Sequence, residues 1–476
     1  WTISDSVDFL LLHSAIGRVN WELNILKLPY SHPEFYVFQT AGIIHDLLVI
    51  SSPMTKNRAD NILVRLKSIP TTLKNAKENL KEPVQAFADI AIEMLKGIDK
   101  NLAASFATLK KDFPDYFPSG TDIYVKNAIH SFNNYRNWLE KNRDKMTKTF
   151  NVGRKNYVYF LRNIALVPYS PEDLLLMSKT EWNRAVAFDT IEKLRNKDVP
   201  PVKIFSSIAE QIKQNKIDEE SIRKFLVEKN VMSIPGWVQH YTNRSMPDYL
   251  KPMSMYGEDD DFTSPTRLDQ NCVRYIPKPS PNLSYFSLAT AKDPRPIIIH
   301  EGVPGHYFQL AQSCKNPDKL RRHYFDSNSN EGIGFYVEEL MLQLGLFDNC
   351  PHSKEIIYSF MRLRALRVNV DVNLALGNYS IEDAANYLAS TVPMDKESAI
   401  GEAGFFASTP GQAITYQIGK IQILKLISDA KIKLGNKFNL KDYHDYMMVN
   451  GNVPIALQRW EYLGLKDEIN KLWPID

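Results

Sequence analysis

The chain has 476 residues, 44% of them hydrophobic, and sets 58 lysines and arginines against 55 aspartates and glutamates. A formal charge of +3 is too small for a protein built to bind nucleic acid or a membrane surface, and the length and apolar content exclude disorder while allowing two to four units of ordinary domain size. The three cysteines, Cys272, Cys314 and Cys350, are odd in number and widely spaced, so they form neither a disulfide framework nor a paired-cysteine metal site.

No apolar run approaches the roughly 20 residues needed to span a bilayer. The N-terminal apolar stretch, residues 9–12, stops at His13. The chain opens on Trp1, as a removed signal or lipoprotein segment would leave it, and as an expression boundary would too.

Amphipathic helices are expected over residues 61–80, 84–98, 123–146, 171–195 and 204–227. In the second of these Val84, Phe87, Ala88, Ala91, Met94, Leu95 and Ile98 recur at spacings of three and four, and Pro83 suits a first helical turn. Between residues 233 and 295 the texture changes to clustered prolines, and alternating apolar residues flank residues 277–281, which predicts loops and a β-hairpin. The acidic run Glu258, Asp259, Asp260 and Asp261 reads as a solvated loop with no assigned role. Helical patterns resume at residue 297, with segments expected over 332–346, 353–376, 381–388 and 410–434.

The chemistry is concentrated in residues 297–310, where His300 and Glu301 are followed by Pro304, Gly305 and His306. Histidines four apart on a helix converge on a zinc ion, and a glutamate between them can activate its water. Here the histidines are six apart, and on a straight helix six residues rise about 9 Å, too far for both imidazoles to reach one ion. Pro304 and Gly305 predict a local break that restores convergence. The next clear helix opens near Asn330 and offers Glu331 as the third ligand, with Glu338 two turns later as an acceptor for an imidazole N–H.

These residues resemble a large bacterial family catalogued as domain of unknown function 885, many of whose members are labelled putative lipoproteins, with the pattern H-E-x-x-P-G-H followed by E-G-W-A-x-Y-x-E. This chain keeps the ligands and departs at Ile333 and Gly334. The resemblance extends to residues 410–420, to Tyr443, His444, Asp445 and Tyr446, and to residues 450–454, less specifically to the N-terminal helices and residues 364–371. The family in turn is similar to helical zinc carboxypeptidases. The resemblance therefore implies a mainly α, two-lobed fold around a deep cleft with a small β-hairpin or sheet beside the metal. The lobes are expected at 1–165 and 166–476, free to interleave, with the β-element near 271–286 offering an edge strand to an extended peptide or serving as a plain surface hairpin.

The function expected is that of a zinc-dependent hydrolase of the metallopeptidase, carboxypeptidase-like kind. One zinc ion would sit on His300, His306 and Glu331, with Glu301 as base and Tyr416 or His444 donating to the oxyanion. Manganese, cobalt or iron suit similar ligands. Arg367 and Lys420 are candidates for neutralising a substrate carboxylate, with ordinary ion pairing as the other reading. The alternatives are a zinc amidase or esterase on a non-peptide acyl substrate and an inactive peptide-binding relative; the intact Glu301 argues against the last. The partner expected is a peptide or other small acyl compound, and the location periplasmic or lipoprotein-anchored, with the cytoplasm as the alternative.

Overall fold

The computed structural model describes residues 1–257, 262–392 and 394–473, and the fold is mainly helical. The acidic run at 258–261 lies outside the described residues. Among them, no helix is long and apolar enough to cross a membrane.

The first helix, Ile3–Asn20, starts in a capping box between Thr2 and Asp5. The long helices Lys56–Asn79 and Thr121–Asn142 build one core, in which Ile62, Leu66, Ile69 and Leu73 meet Ala128, Phe132, Tyr135 and Leu139. The periodic run at 84–98 is not one helix. It ends at Met94, Gly97 turns the chain with a φ of +70°, and a new helix runs Ile98–Asp112. Pro171–Arg195 has the expected bounds, started by a second capping box between Ser170 and Asp173.

A second core gathers the C-terminal helices around Ser327–Gln343 and Thr415–Leu434, with Ile333, Phe335 and Val337 against Ile423, Leu426 and Tyr443. These two helices touch at Gly332 and Gly419. A Cβ on Gly332 would stand 2.7 Å from Gly419 Cα, and one on Gly419 would stand 2.2 Å from the Asn328 carbonyl oxygen. Only glycine permits so close a crossing, and the crossing brings Glu331 and Tyr416 side by side.

Elements cross the 165/166 boundary in both directions. Val7 and Leu11 of the first helix pack with Val453, Leu457 and Trp460, whereas Leu250, Met253, Val273 and Tyr275 join the N-terminal core.

The β-element is not a hairpin. Strand β1 (Tyr241–Ser245) and strand β2 (Cys272–Ile276) pair in parallel, Asn243 opposite Arg274, and a parallel pair cannot be joined by a tight turn. The proline-rich segment after β2 leads into the helix Tyr285–Lys292, because Pro277, Pro279 and Pro281 have no N–H to give to a ladder. The alternating side chains of the sheet tie the two cores together: Tyr241 and Cys272 lie in the C-terminal core, Val273 and Tyr275 in the N-terminal one.

Candidate metal centre

The six-residue spacing of the histidines is resolved by breaking the helix. Residues Ile298–Gly302 form a wide π-helical turn, the Val303–Pro304 peptide is cis, and a new helix begins at His306 and runs to Ser313. Pro304 brings no N–H to continue the first helix. A Cβ on Gly305 would fall 1.8 Å from the His300 carbonyl oxygen, so the chain folds back on itself only with glycine there. Across this break the two imidazole centroids stand 4.6 Å apart with their planes at 76°. Both rings are buried.

Glu331 reaches this pair from the Ser327–Gln343 helix, which is capped by Asp326 and tied to the His306 helix by Asn330 Nδ2 donating to Gln309 Oε1 at 2.9 Å. Glu331 Oε2 lies 3.5 Å from His300 Nε2 and 3.2 Å from His306 Nε2. Donor atoms about 2.1 Å from a tetrahedral ion stand roughly 3.3–3.4 Å apart, so both of these separations have the length of an edge of a zinc site. Glu331 Oε2 is buried and, although close to both imidazoles, lacks a hydrogen-bond partner of good geometry.

Ligand-capable atoms of His300, Glu301 and His306 also lie within 4.8 Å of one another, so proximity alone would admit Glu301 as a ligand. Its carboxylate stands farther off, 4.0 Å from His306 Nε2, is the most exposed of the four side chains at 21%, and faces Arg274 of β2 at 3.9 Å. That position suits a base beside the ion better than a ligand on it.

Burial alone would push the His300 imidazole down, but the carboxylates of Glu331 and Glu338 outweigh it and raise it to about 9. Burial would likewise raise Glu331, but His306 and His300 hold it well below the usual carboxylate range. The site thus presents anionic oxygen to any cation.

Behind His300 lies a second layer. Nδ1 is 2.7 Å from Glu338 Oε1, and the same oxygen accepts from Arg364 Nη2 at 3.0 Å. Arg364 is enclosed by Phe286, Phe335, Phe360 and Tyr416, its guanidinium 5.0–5.7 Å from each ring centre. Gly334, between the two glutamates, leaves the rings their room: a Cβ there would sit 2.7 Å from His306 Cε1 and 2.9 Å from His300 Cε1.

Tyr416 lies alongside, its ring nearly parallel to that of His300 at 6.3 Å. Burial, then the charge of Glu331, raises its phenol far above the usual range, so it remains a hydrogen-bond donor. The expected helix start at 410 falls instead at Thr415, because residues 410–414 form a turn wrapped on Asp371. That carboxylate accepts from the backbone of Gly411 and Ala413 and from the Tyr157 hydroxyl, and burial raises it to about 6.

Three candidates have partners of their own, although Arg367 lies against Tyr416, its guanidinium 4.9 Å from the ring centre. His444 is buried with Nδ1 2.6 Å from the Val231 carbonyl and Nε2 2.8 Å from the Tyr336 hydroxyl, so both nitrogens are engaged within the core and it is removed from the catalytic set. Arg367 is bound through two nitrogens to Glu402. Lys420 is wholly buried between Glu181 at 3.0 Å and Glu339 at 2.8 Å, both also paired with Arg184. Neither cation is left to meet a substrate carboxylate, because each is neutralised where it lies. Arg274, Arg364 and Asp371 enter the site without a sequence signal of their own; only the resemblance over residues 364–371 touched two of them.

The fold is shared with solved structures of low identity. A "putative lipoprotein of unknown function" from Shewanella oneidensis superposes with a TM-score of 0.72 at 16% identity, covering 97% of this chain and 88% of that one. A "putative lipoprotein" from Colwellia psychrerythraea superposes with a TM-score of 0.70 at 18% identity, covering 86% of this chain and 76% of its own. No curated protein matches the chain. Residues 7–460 match the family described as "Bacterial protein of unknown function (DUF885)", and the chain belongs to that family.

Proposed function

We propose that this protein is a zinc-dependent hydrolase, a metallopeptidase acting on short peptides, with one zinc ion on His300, His306 and Glu331. The observation that carries the proposal is the placing of Glu331 Oε2 at 3.5 and 3.2 Å from two imidazole nitrogens, the edge lengths of a tetrahedral site. When bound, the ion supplies Lewis acidity that activates a water and polarises the scissile carbonyl.

The chain's own residues would do the rest. Glu301, steadied by Arg274, takes the proton of the attacking water and returns it to the leaving nitrogen. Tyr416, kept protonated, donates to the oxyanion that develops. Glu338, itself held by Arg364, fixes the ring of His300.

In this reading the two cores that meet at the sheet are the lobes of a zinc-peptidase-like fold, with substrate between them. Because Arg367 and Lys420 are already paired, the reading is of a peptidase without a carboxylate anchor at those positions, which weakens the carboxypeptidase form of it. The lipoprotein names of the relatives support a place outside the cytoplasm.

The test combines metal content by mass spectrometry with cleavage of a peptide mixture. Wild type should carry about one zinc per chain; His300→Ala and Glu331→Ala should lose it together with cleavage. Glu301→Gln should keep the metal and lose about 10²–10⁴-fold in rate. Zinc retained by both ligand variants would overturn the assignment, and zinc with hydrolysis only of non-peptide amides or esters would transfer the site to that class.

A further inference from the structure

Residues 25–32, 82–87 and 147–156 enclose a cavity of about 440 Å³ that contains none of the metal-centre residues. Its volume lies within the range of small-molecule sites, about 300–1,000 Å³. Leu26, Val84, Phe87 and Phe150 give it apolar walls. At its lip Lys27 holds a left-handed φ of +55°, a conformation kept by a long side chain only where the surroundings impose it, and its ammonium is 2.9 Å from Glu82.

His32 also lines the cavity, 4% exposed, its ring stacked on Phe87 at 4.3 Å. Its neighbours fix the tautomer. Ser31 Oγ lies 2.7 Å from the Leu26 carbonyl oxygen and 3.1 Å from that of Lys27, both of which only accept, so the hydroxyl proton is directed there and a lone pair of Oγ is left for His32 Nδ1 at 2.8 Å. Nδ1 therefore carries the ring proton. Nε2 is a bare acceptor, buried and without a hydrogen-bond partner among the described residues. Burial keeps the ring neutral by pushing its pKa down to about 3. A buried acceptor left unpaired is costly, and a bound donor removes that cost.

We infer that this cavity binds a small neutral aromatic molecule with one O–H or N–H donor, a phenol or an indole, the donor on His32 Nε2 and the ring among the apolar walls. Charged ligands fit less well. An anion would meet a lone pair on the floor in place of a donor, and at the lip each charge already has its partner, Lys27 with Glu82.

Isothermal titration calorimetry of the full chain with p-cresol, indole and toluene tests this. Both donors should bind at least tenfold more tightly than toluene, which has a ring and no donor. His32→Phe keeps a ring against Phe87 and removes the lone pair, so p-cresol should fall to the level of toluene with unchanged circular dichroism. Thr149→Trp fills the exposed rim and should weaken all three ligands at least tenfold, a second reading should His32→Phe fail to fold. N-acetyltyrosinamide distinguishes the source of the ring: tighter binding than p-cresol marks the side chain of a peptide, and exclusion marks a free aromatic. Wild type that binds no p-cresol, as for a cavity holding water alone, overturns the inference. So does toluene bound as tightly as p-cresol, or p-cresol affinity unaltered by both substitutions.

Discussion

Replacing Glu338 with glutamine separates what holds the fold from what would hold the proposed metal. Glu338 is fully buried, with one oxygen shared between His300 Nδ1 at 2.7 Å and Arg364 Nη2 at 3.0 Å. The substitution preserves shape and removes the charge, leaving Arg364 as an unpaired cation among four aromatic rings. Breaking a buried pair from one side costs about 3–5 kcal/mol, because the remaining charge is desolvated without compensation. His300 would retain only a neutral acceptor at Nδ1, and loss of such an outer partner weakens metal binding about 10–100-fold, or about 1.4–2.8 kcal/mol. Denaturant titration of the metal-free protein reads the first quantity and competition with a zinc chelator reads the second. The double variant Glu338→Gln with Arg364→Met removes both charges, so stability should return toward wild type while zinc affinity stays low. Wild-type affinity in Glu338→Gln, or recovery of affinity together with stability in the double variant, would refute the chain of contacts from Arg364 through Glu338 to His300.

Three further outcomes are expected. Gly334→Ala restores the family's alanine but, in this chain, places a methyl within 2.9 Å of both imidazoles, so about 1–3 kcal/mol of stability should be lost to overpacking, read by denaturant titration. Tyr416→Phe should keep the metal and lower kcat about 10²–10³-fold with little change in KM, as removal of a single oxyanion donor does; an unchanged kcat would exclude the phenol from the reaction. Burial pushes Asp218 up to about 6, so the protonated form stabilises the fold, most fully below about pH 4, and this contribution is lost as pH rises through 6. Asp218→Asn, which keeps an oxygen for Gln214 Nε2, should match wild type below pH 4 and exceed it by up to about 2–3 kcal/mol above pH 7, measured by urea unfolding across that range.

The convergence of His300 and His306 was legible because they lie close in sequence and because the anomaly in their spacing carried its own explanation. Six residues between histidines exclude a straight helix, and Pro304 with Gly305 shows where it breaks; the π-helical turn and the fresh start at His306 are the form that break takes. Helix periodicity likewise located the long segments, and capping residues fixed their starts where Ser170 and Ser380 stand before acidic third positions. It failed where tertiary contacts decide. Residues 410–414 have helical periodicity but are held as a turn by a carboxylate some forty positions earlier, and nothing near Asp371 announces its partners. The helix Lys396–Ser408 was missed because Phe405 and Ile400 face outward and blur its amphipathic pattern. The strand pairing failed for a related reason: alternation identifies a strand but not its partner, and the partner of Cys272–Ile276 lies on the far side of residues 246–271.

The same distinction explains which functional residues sequence could rank. Lys420 and Arg367 are cations on helices that pass the candidate metal site, and a cation near a proposed acyl-transfer site invites assignment to substrate. Whether such a charge is free depends on carboxylates contributed by other helices, Glu181 from Pro171–Arg195 and Glu402 from Lys396–Ser408, neither of them near it in sequence. Ligand sets are constrained by chemistry that few residue types satisfy, so a small local pattern identifies them; charge neutralisation is satisfied by any carboxylate within reach, so only the fold reveals it.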